Sequence, residues 1–211
     1  MSDPRGEALR RGYDAIAGAY REALFDELAG KPLDRAFLQA LAERCSDGPM
    51  LEVGCGPGQV SRFLASLGAA VEGVDLSPAM VAEARRAVPG VAFTEADFFA
   101  LPHTTGSVRA VVGFYAIVHL DPADVPRALA EFARVLAPGG LLALAFHAGD
   151  QRVHVDELFG RPTSLDFIWH HPSAVIAALE GAGFTLEARL DRAPYPEVEH
   201  PSQRCYLLAR R

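Results

Sequence analysis

Apolar positions recur at steps of three and four from Glu7 to Phe25, through Leu9, Tyr13, Ile16, Ala17, Tyr20 and Leu24, which is the period of an amphipathic helix. Pro32, Leu33, Phe37, Leu38 and Leu41 describe a second helix, ending near Cys45 before the turn residues Ser46, Asp47 and Gly48. From Met50 the pattern changes to short apolar runs alternating with helical stretches. A strand beginning at Met50 leads into helix Gln59 to Leu67. Strand Ala69 to Leu76 precedes helix Ala79 to Ala87, and strands follow at Gly90 to Asp97 and Val108 to Gly113. Asp121-Pro122 opens a helix running to Leu136, Pro138-Gly139-Gly140 ends it, and Leu141 to His147 is the fifth strand. After a mixed stretch, helix Pro172 to Gly181 and strands Thr185 to Arg192 and Arg204 to Arg211 follow, the last two separated by a proline-bearing loop. This alternation predicts an α/β fold with a doubly wound, mostly parallel sheet behind an N-terminal helical segment.

The junction of the first strand with its helix reads M-L-E-V-G-C-G-P-G-Q-V over residues 50–60. Glycines there let the backbone turn tightly and approach a ligand closely, and the helix beyond offers free N–H groups. The spacing differs from the dinucleotide fingerprint G-x-G-x-x-G: the third glycine follows one residue after the second, and Glu52 stands two before the first. Asp75 closes the second strand. In open α/β sheets ligands sit beyond the carboxyl ends of the strands, so this acid is placed for ribose hydroxyls; a helix-capping role is already served by Ser77 and Pro78.

The E-x-G-x-G-x-G stretch resembles motif I of the class I S-adenosylmethionine-dependent methyltransferases, small-molecule type. The run E-F-A-R-V-L-A-P-G-G-L-L-A-L and the segment Y-D-x-x-A-x-x-Y at Tyr13 to Tyr20 also resemble family stretches. The resemblance implies a seven-stranded sheet in the order 3-2-1-4-5-7-6, with strand seven antiparallel and a C-terminal β-hairpin. It implies S-adenosylmethionine as cofactor, with Gly54, Cys55 and Gly56 at the methionine part, Asp75 at the ribose and Glu52 also cofactor-binding. Asp97 and Phe98 would hold the adenine, and Leu76, Met80 and Phe114 would complete the site. Tyr13 and Tyr20, seven apart on one helical face, either pack the helix on the core or, as the resemblance implies, close over the cofactor. Phe114-Tyr115-Ala116 lacks the N/D-P-P-Y/F signature of nucleobase or glutamine methylation, and no acidic pair suggests magnesium.

Composition narrows the class further. The 211 residues, half of them hydrophobic, are expected to form one domain: a helical cap at 1–46, a cofactor-binding core at 47–147, a substrate-facing insert at 148–172 and a closing helix and hairpin at 173–211. A formal charge of −7 with scattered Lys and Arg argues against nucleic acid. Cys45, Cys55 and Cys205 show no disulfide or zinc spacing. With no signal-like or membrane-spanning run, the expectation is a cytoplasmic, metal-free enzyme, monomer or homodimer, acting on a small molecule.

The insert mixes acids, imidazoles and aromatic groups, among them Asp150, His154, Phe159, Phe167, Trp169 and His170. It reads either as a surface crossover or as a wall facing a substrate. His119 and His147, past strands four and five and beside Tyr115, are candidate catalytic groups for removing a proton from an oxygen or nitrogen acceptor; packing or capping roles are the alternative. Two other functions stay open at this point, a non-catalytic cofactor-binding module and an NAD-dependent oxidoreductase.

Overall fold

The computed structural model describes residues 4–211. Helix α1 (Pro4–Leu24), a 3-10 turn (Glu27–Gly30) and α2 (Pro32–Arg44) precede β1 (Met50–Val53), α3 (Gln59–Ser66), β2 (Val71–Asp75), α4 (Pro78–Ala87) and β3 (Ala92–Glu95). Then come β4 (Val108–Phe114), a second 3-10 turn (Ala116–His119), α5 (Val125–Val135), β5 (Leu136–Ala148), β6 (Arg152–Leu158), β7 (Arg161–Ile168), α6 (Pro172–Gly181), β8 (Thr185–Arg192) and β9 (Gln203–Arg210). The main sheet runs β3-β2-β1-β4-β5-β9-β8, seven strands with β9 antiparallel to both neighbours. This is the order that the resemblance implies, and β8 with β9 is the closing hairpin.

Period-two alternation sorts the strands between two cores. Leu51, Val53, Val111, Leu142, Leu144 and Phe146 face α5 and α6, where Leu129, Phe132 and Leu179 meet them. Met50, Ala110, Val112, Leu141, Ala143 and Ala145 face α2 and α3, against Leu38, Leu41, Val60 and Leu64. Burial on both faces is why β1, β4 and β5 are mostly apolar, with Glu52 and Arg109 the charged exceptions. At one edge β3 has only four residues, and Arg85 of α4 donates to its Phe93 carbonyl from Nε (3.0 Å) and Nη2 (2.6 Å). At the other edge β8 carries the exposed residues Glu187, Arg189 and Asp191.

Four local expectations change. β3 ends at Glu95, so Asp97 stands beyond it, where its carboxylate accepts from Phe99 N at 2.9 Å. α5 begins at Val125, because Asp121 is drawn into ion pairs with Arg5 (2.7 Å) and Arg152 instead of opening the helix. β5 starts at Leu136 and carries the Pro138-Gly139-Gly140 segment within it, with Gly139 at a φ of 75° and a register shift opposite it between Val108 and Ala110 of β4. The insert is neither loop nor bare crossover: β6 and β7 form a separate antiparallel hairpin. Its tip is Phe159-Gly160, with φ of 52° and 70°, the double left-handed signature of a tight hairpin turn with phenylalanine in a seat that usually takes asparagine.

This hairpin and α1 together roof the carboxyl ends of the parallel strands. Gly12 lets α1 sit against β7, since a Cβ there would stand 2.6 Å from Leu165 Cδ2, and Thr163 donates to the Gly12 carbonyl at 2.9 Å. Asp14 ties the same helix to the start of α4 by accepting from Ser77 Oγ (2.6 Å) and Ala79 N (3.2 Å).

Candidate active site

Under that roof lies one cavity of about 920 Å³, at the upper end of the range for small-ligand sites. Every cofactor and catalytic residue expected from the sequence lines it except Cys55. The Cys55 side chain instead packs among Val81, Ala84, Val88 and Phe93, and its N–H is spent on the Val74 carbonyl. The turn it belongs to is built on positive φ. A Cβ on Gly54 (φ 65°) would come 3.1 Å from Ala116 Cβ, and one on Gly58 (φ 87°) would come 3.0 Å from Phe93, so larger residues would close the site or break the turn.

At one pole of the cavity carboxylates gather. Asp75 accepts from Gly56 N and Ser77 N, both at 2.8 Å, and thereby shapes the glycine turn. Burial raises its pKa to about 6 against those two hydrogen bonds. Glu52, 2% exposed, accepts from Ser61 Oγ; burial carries its pKa to about 8, with the Asp75 charge adding to the shift. Glu27, which the sequence alone did not single out, accepts from Gln59 Nε2 at 3.2 Å and pairs with Lys31 at 2.5 Å. Burial, Tyr13 and then these three carboxylates push the Tyr20 hydroxyl well above its usual pKa. A pole of this sign suits a cationic ligand and repels a diphosphate. Gln59 Oε1, buried and without a partner among the described residues, is an acceptor waiting for a donor beside Gly56.

The aromatic roof is continuous. Tyr13 meets Tyr20 edge-on at 5.9 Å, and Tyr20 meets Phe159 at the tip of the β6–β7 hairpin at 5.6 Å. Tyr13 also bonds His119 Nε2 at 2.6 Å, while His119 Nδ1 lies 2.6 Å from the Asp166 carbonyl of β7. A carbonyl only accepts, so Nδ1 carries the proton and the Nε2 lone pair takes the Tyr13 hydroxyl. His119, with its pKa lowered by burial to about 4, is therefore occupied at both nitrogens. The expectation that it accepts a substrate proton meets that obstacle.

His147 has a freer ring. Its Nδ1 lies 2.7 Å from Ser202 Oγ, it stacks on Trp169 (5.9 Å, 30°), and Tyr115 is 5.2 Å away. Burial, then the charges of Arg204 and others, hold its pKa at about 3. Tyr115 itself is left-handed at φ 58°, where β4 breaks into the 3-10 turn. Behind these rings sits a buried ionic network. Arg192 donates to Asp34 (2.8 Å), Glu199 (2.6 and 2.9 Å) and Tyr206 (2.6 Å), and Lys31 reaches Glu199 at 3.3 Å. Lys31, Trp169, Glu199, His200 and Arg204 all line the cavity. Among the described residues no cluster of three or more potential metal ligands occurs, and no helix is long and apolar enough to cross a membrane.

Comparison with known proteins places this architecture. Residues 50–140 match the family model described as a methyltransferase domain. A probable S-adenosylmethionine-dependent methyltransferase of Mycolicibacterium smegmatis is 36% identical over 157 residues, 72% of this chain and 58% of that protein. Malonyl-[acyl-carrier protein] O-methyltransferase of Enterobacter lignolyticus is 33% identical over 144 residues, 68% of this chain and 55% of that protein. The chain belongs to the class I S-adenosylmethionine-dependent methyltransferases. Its cofactor is that family's S-adenosylmethionine, and the oxidoreductase alternative falls away. The chain spans between half and two thirds of the length of both curated relatives. In fold the chain is similar to the 1,6-didemethyltoxoflavin-N1-methyltransferase of Burkholderia thailandensis, with a TM-score of 0.75 at 19% identity, covering 100% of this chain and 91% of that one.

Proposed function

We propose that this chain transfers the methyl group of S-adenosylmethionine to an oxygen or nitrogen of a small organic molecule. The observation that carries the reading is the single cavity running from Asp75 and Asp97, through the glycine turn, to Trp169 and His200: one end suits a cationic nucleoside and the other an aromatic-lined acceptor site. In this reading Asp75 binds the ribose, Asp97 with Phe98 the adenine, and Glu52, Gly54, Gly56 and Gln59 surround the methionine part. Tyr13 and Tyr20 cover the donor, and residues 148–172 supply the far wall of the acceptor site. The names of the relatives support both acceptor atoms, oxygen for the malonyl enzyme and nitrogen for the toxoflavin enzyme.

Catalysis then rests on holding the nucleophile in line with the S–CH3 bond and excluding water, with no histidine base. Supply of methyl-labelled S-adenosylmethionine with fractionated small metabolites should give labelled product and S-adenosylhomocysteine. Tight cofactor binding with no transfer to any fraction would leave the non-catalytic alternative standing.

Two expected results follow from the donor pole. A cationic donor binds best when Glu52 and Asp75 are ionised, and their free-state pKa values are about 8 and about 6, so the complex holds fewer protons than the free protein. Affinity should rise with pH from about 6 to about 8 and level off above. Glu52→Gln should flatten the upper part of that rise in calorimetric titrations; a profile as steep as the parent's would remove Glu52 from the linkage. His119 should act through Tyr13. His119→Phe and Tyr13→Phe are each expected to weaken cofactor binding by about three- to ten-fold, and the double variant by no more than the worse single one. Additive losses in the same titration would separate the two residues.

A further inference from the structure

We propose that the acceptor is an organic acid with a flat unsaturated or aromatic body, stacked on Trp169 and His147, with its carboxylate held by Lys31 and Arg204 and methylated on oxygen. The inference rests on the methyl-transfer reading above and deepens it to a substrate class.

The buried charges behind Tyr115 are unevenly paired. Glu199 spends Oε1 on Arg192 (2.9 Å) and Lys31 (3.3 Å), and Oε2 on Arg192 (2.6 Å) and Tyr195 N (2.9 Å). Asp34 spends its oxygens on Arg192 (2.8 Å) and Tyr206 (2.9 Å). Both acids are thus satisfied from behind the wall. The two cations are not. Lys31, 6% exposed, meets Glu27 and Glu199, which leaves one ammonium N–H. Arg204, 2% exposed, gives Nη1 to Ser202 and one Nη2 hydrogen to the His200 carbonyl (2.8 Å). Its Nε has no hydrogen-bond partner among the described residues, with Glu199 Oε1 3.8 Å away. Both residues line the cavity beside one ring and close to one Glu199 oxygen: Lys31 Nζ is 5.7 Å and Arg204 Cζ 5.9 Å from the centre of Tyr115, and Lys31 Nζ and Arg204 Nε lie 3.3 and 3.8 Å from Glu199 Oε1. What the wall offers a ligand is the remaining ammonium N–H of Lys31 and the second Nη2 hydrogen of Arg204, with Arg204 Nε enclosed behind them, the complement of a carboxylate.

Position and reactivity agree with this. Tyr115 adjoins Ala116, the residue packed against Gly54 of the donor turn, so an anion beside Tyr115 stands next to the donor's methyl end. Neither His119 nor His147 is a strong base here, and a carboxylate needs none, because it is already ionised at neutral pH. The carboxylate oxygen forms the O–CH3 bond as S–CH3 breaks and the bonding pair stays on sulfur. The products are a methyl ester and the thioether S-adenosylhomocysteine, with no proton exchanged. Cation and anion cancel in that step, which a dry aromatic site favours.

Trp169 is the only tryptophan of the chain, so its fluorescence reports this site alone. Benzoate, cinnamate and 1-naphthoate, each beside its amide, would be titrated into protein saturated with S-adenosylhomocysteine. The best acid should bind at least about ten-fold more tightly than its amide, and Lys31→Met should bring the pair within about two-fold. Equal or reversed preference in the parent protein, or no acid binding below about 10 mM, overturns the proposal without recourse to any variant. Intact S-adenosylhomocysteine binding by Lys31→Met certifies that its site is folded; if that binding is lost, the parent comparison decides. In a parallel arm, label transferred from tritiated donor to acceptor should be released by mild alkali as methanol. Alkali-stable label on an amine or phenol would overturn the carboxylate proposal and leave the methyl-transfer reading intact, whereas absence of cofactor binding would sink that reading first.

Discussion

Arg192→Met should destabilise the protein by about 3–5 kcal/mol, the usual cost of stripping one partner from a buried ionic cluster. Arg192 is 8% exposed, and its guanidinium fork holds Asp34, Glu199 and the Tyr206 hydroxyl together at the cavity end lined by Trp169 and His200. Methionine fills a similar volume but leaves two buried carboxylates short of donors, with Lys31 the nearest remaining cation for Glu199. Urea unfolding of parent and variant at pH 7 measures the loss directly; a change under about 1 kcal/mol would mean that Lys31 and water compensate. Burial opposes ionisation of Glu199, but the Arg192 hydrogen bonds prevail and hold its pKa at about 2. A carboxyl lowered in this way contributes stability above the ordinary glutamate pKa and loses it as pH falls toward 2. That slope should be present in the parent and largely absent in Arg192→Met.

Asp75→Ala should weaken S-adenosylmethionine binding by at least about ten-fold and up to about a hundred-fold. In the proposed site its carboxylate serves the ribose hydroxyls, and hydrogen bonds to a charged acceptor contribute about 1.5–3 kcal/mol. The structure adds a second cause. The same carboxylate accepts from Gly56 N and Ser77 N, so alanine also frees the glycine turn and the entry to α4. Asp75→Asn keeps one acceptor for these amides and should fall between parent and alanine in calorimetric titration. An unchanged dissociation constant in folded Asp75→Ala would take the residue out of the donor site.

Much of the proposed donor half could be read from local spacing, because each of its residues follows a strand at a short, fixed distance. Gly54 and Gly56 follow β1, Asp75 ends β2, Asp97 lies two residues past β3, and Phe114 ends β4. Cys55 sits between two lining glycines, yet its side chain turns inward to pack with Val81, Ala84 and Phe93. The proposed acceptor half was not legible in the same way. Lys31, Glu199 and Arg204 come together from opposite ends of the chain, and nothing in the neighbours of any one of them announces the others. The β6–β7 hairpin carried a weak signal in Val153 and Val155, alternating with Arg152, His154 and Asp156, but the charged positions masked it and Phe159-Gly160 is an unusual turn pair. For His119 the residue type and place were readable, but its tautomer was not. That depended on the Asp166 carbonyl and the Tyr13 hydroxyl, contacts across 47 and 106 residues of sequence.

The two ends of the main sheet bear on how the protein behaves in concentrated solution. An open strand edge is a template on which another chain can crystallise its own backbone, and long flat edges seed fibres. Here β3 is only four residues long and its Phe93 carbonyl is already taken by the Arg85 guanidinium, while an arriving strand at β8 would have to lie against the charges of Glu187, Arg189 and Asp191. Growth of the sheet from molecule to molecule is therefore blocked at both margins, by a borrowed acceptor on one side and by charge on the other.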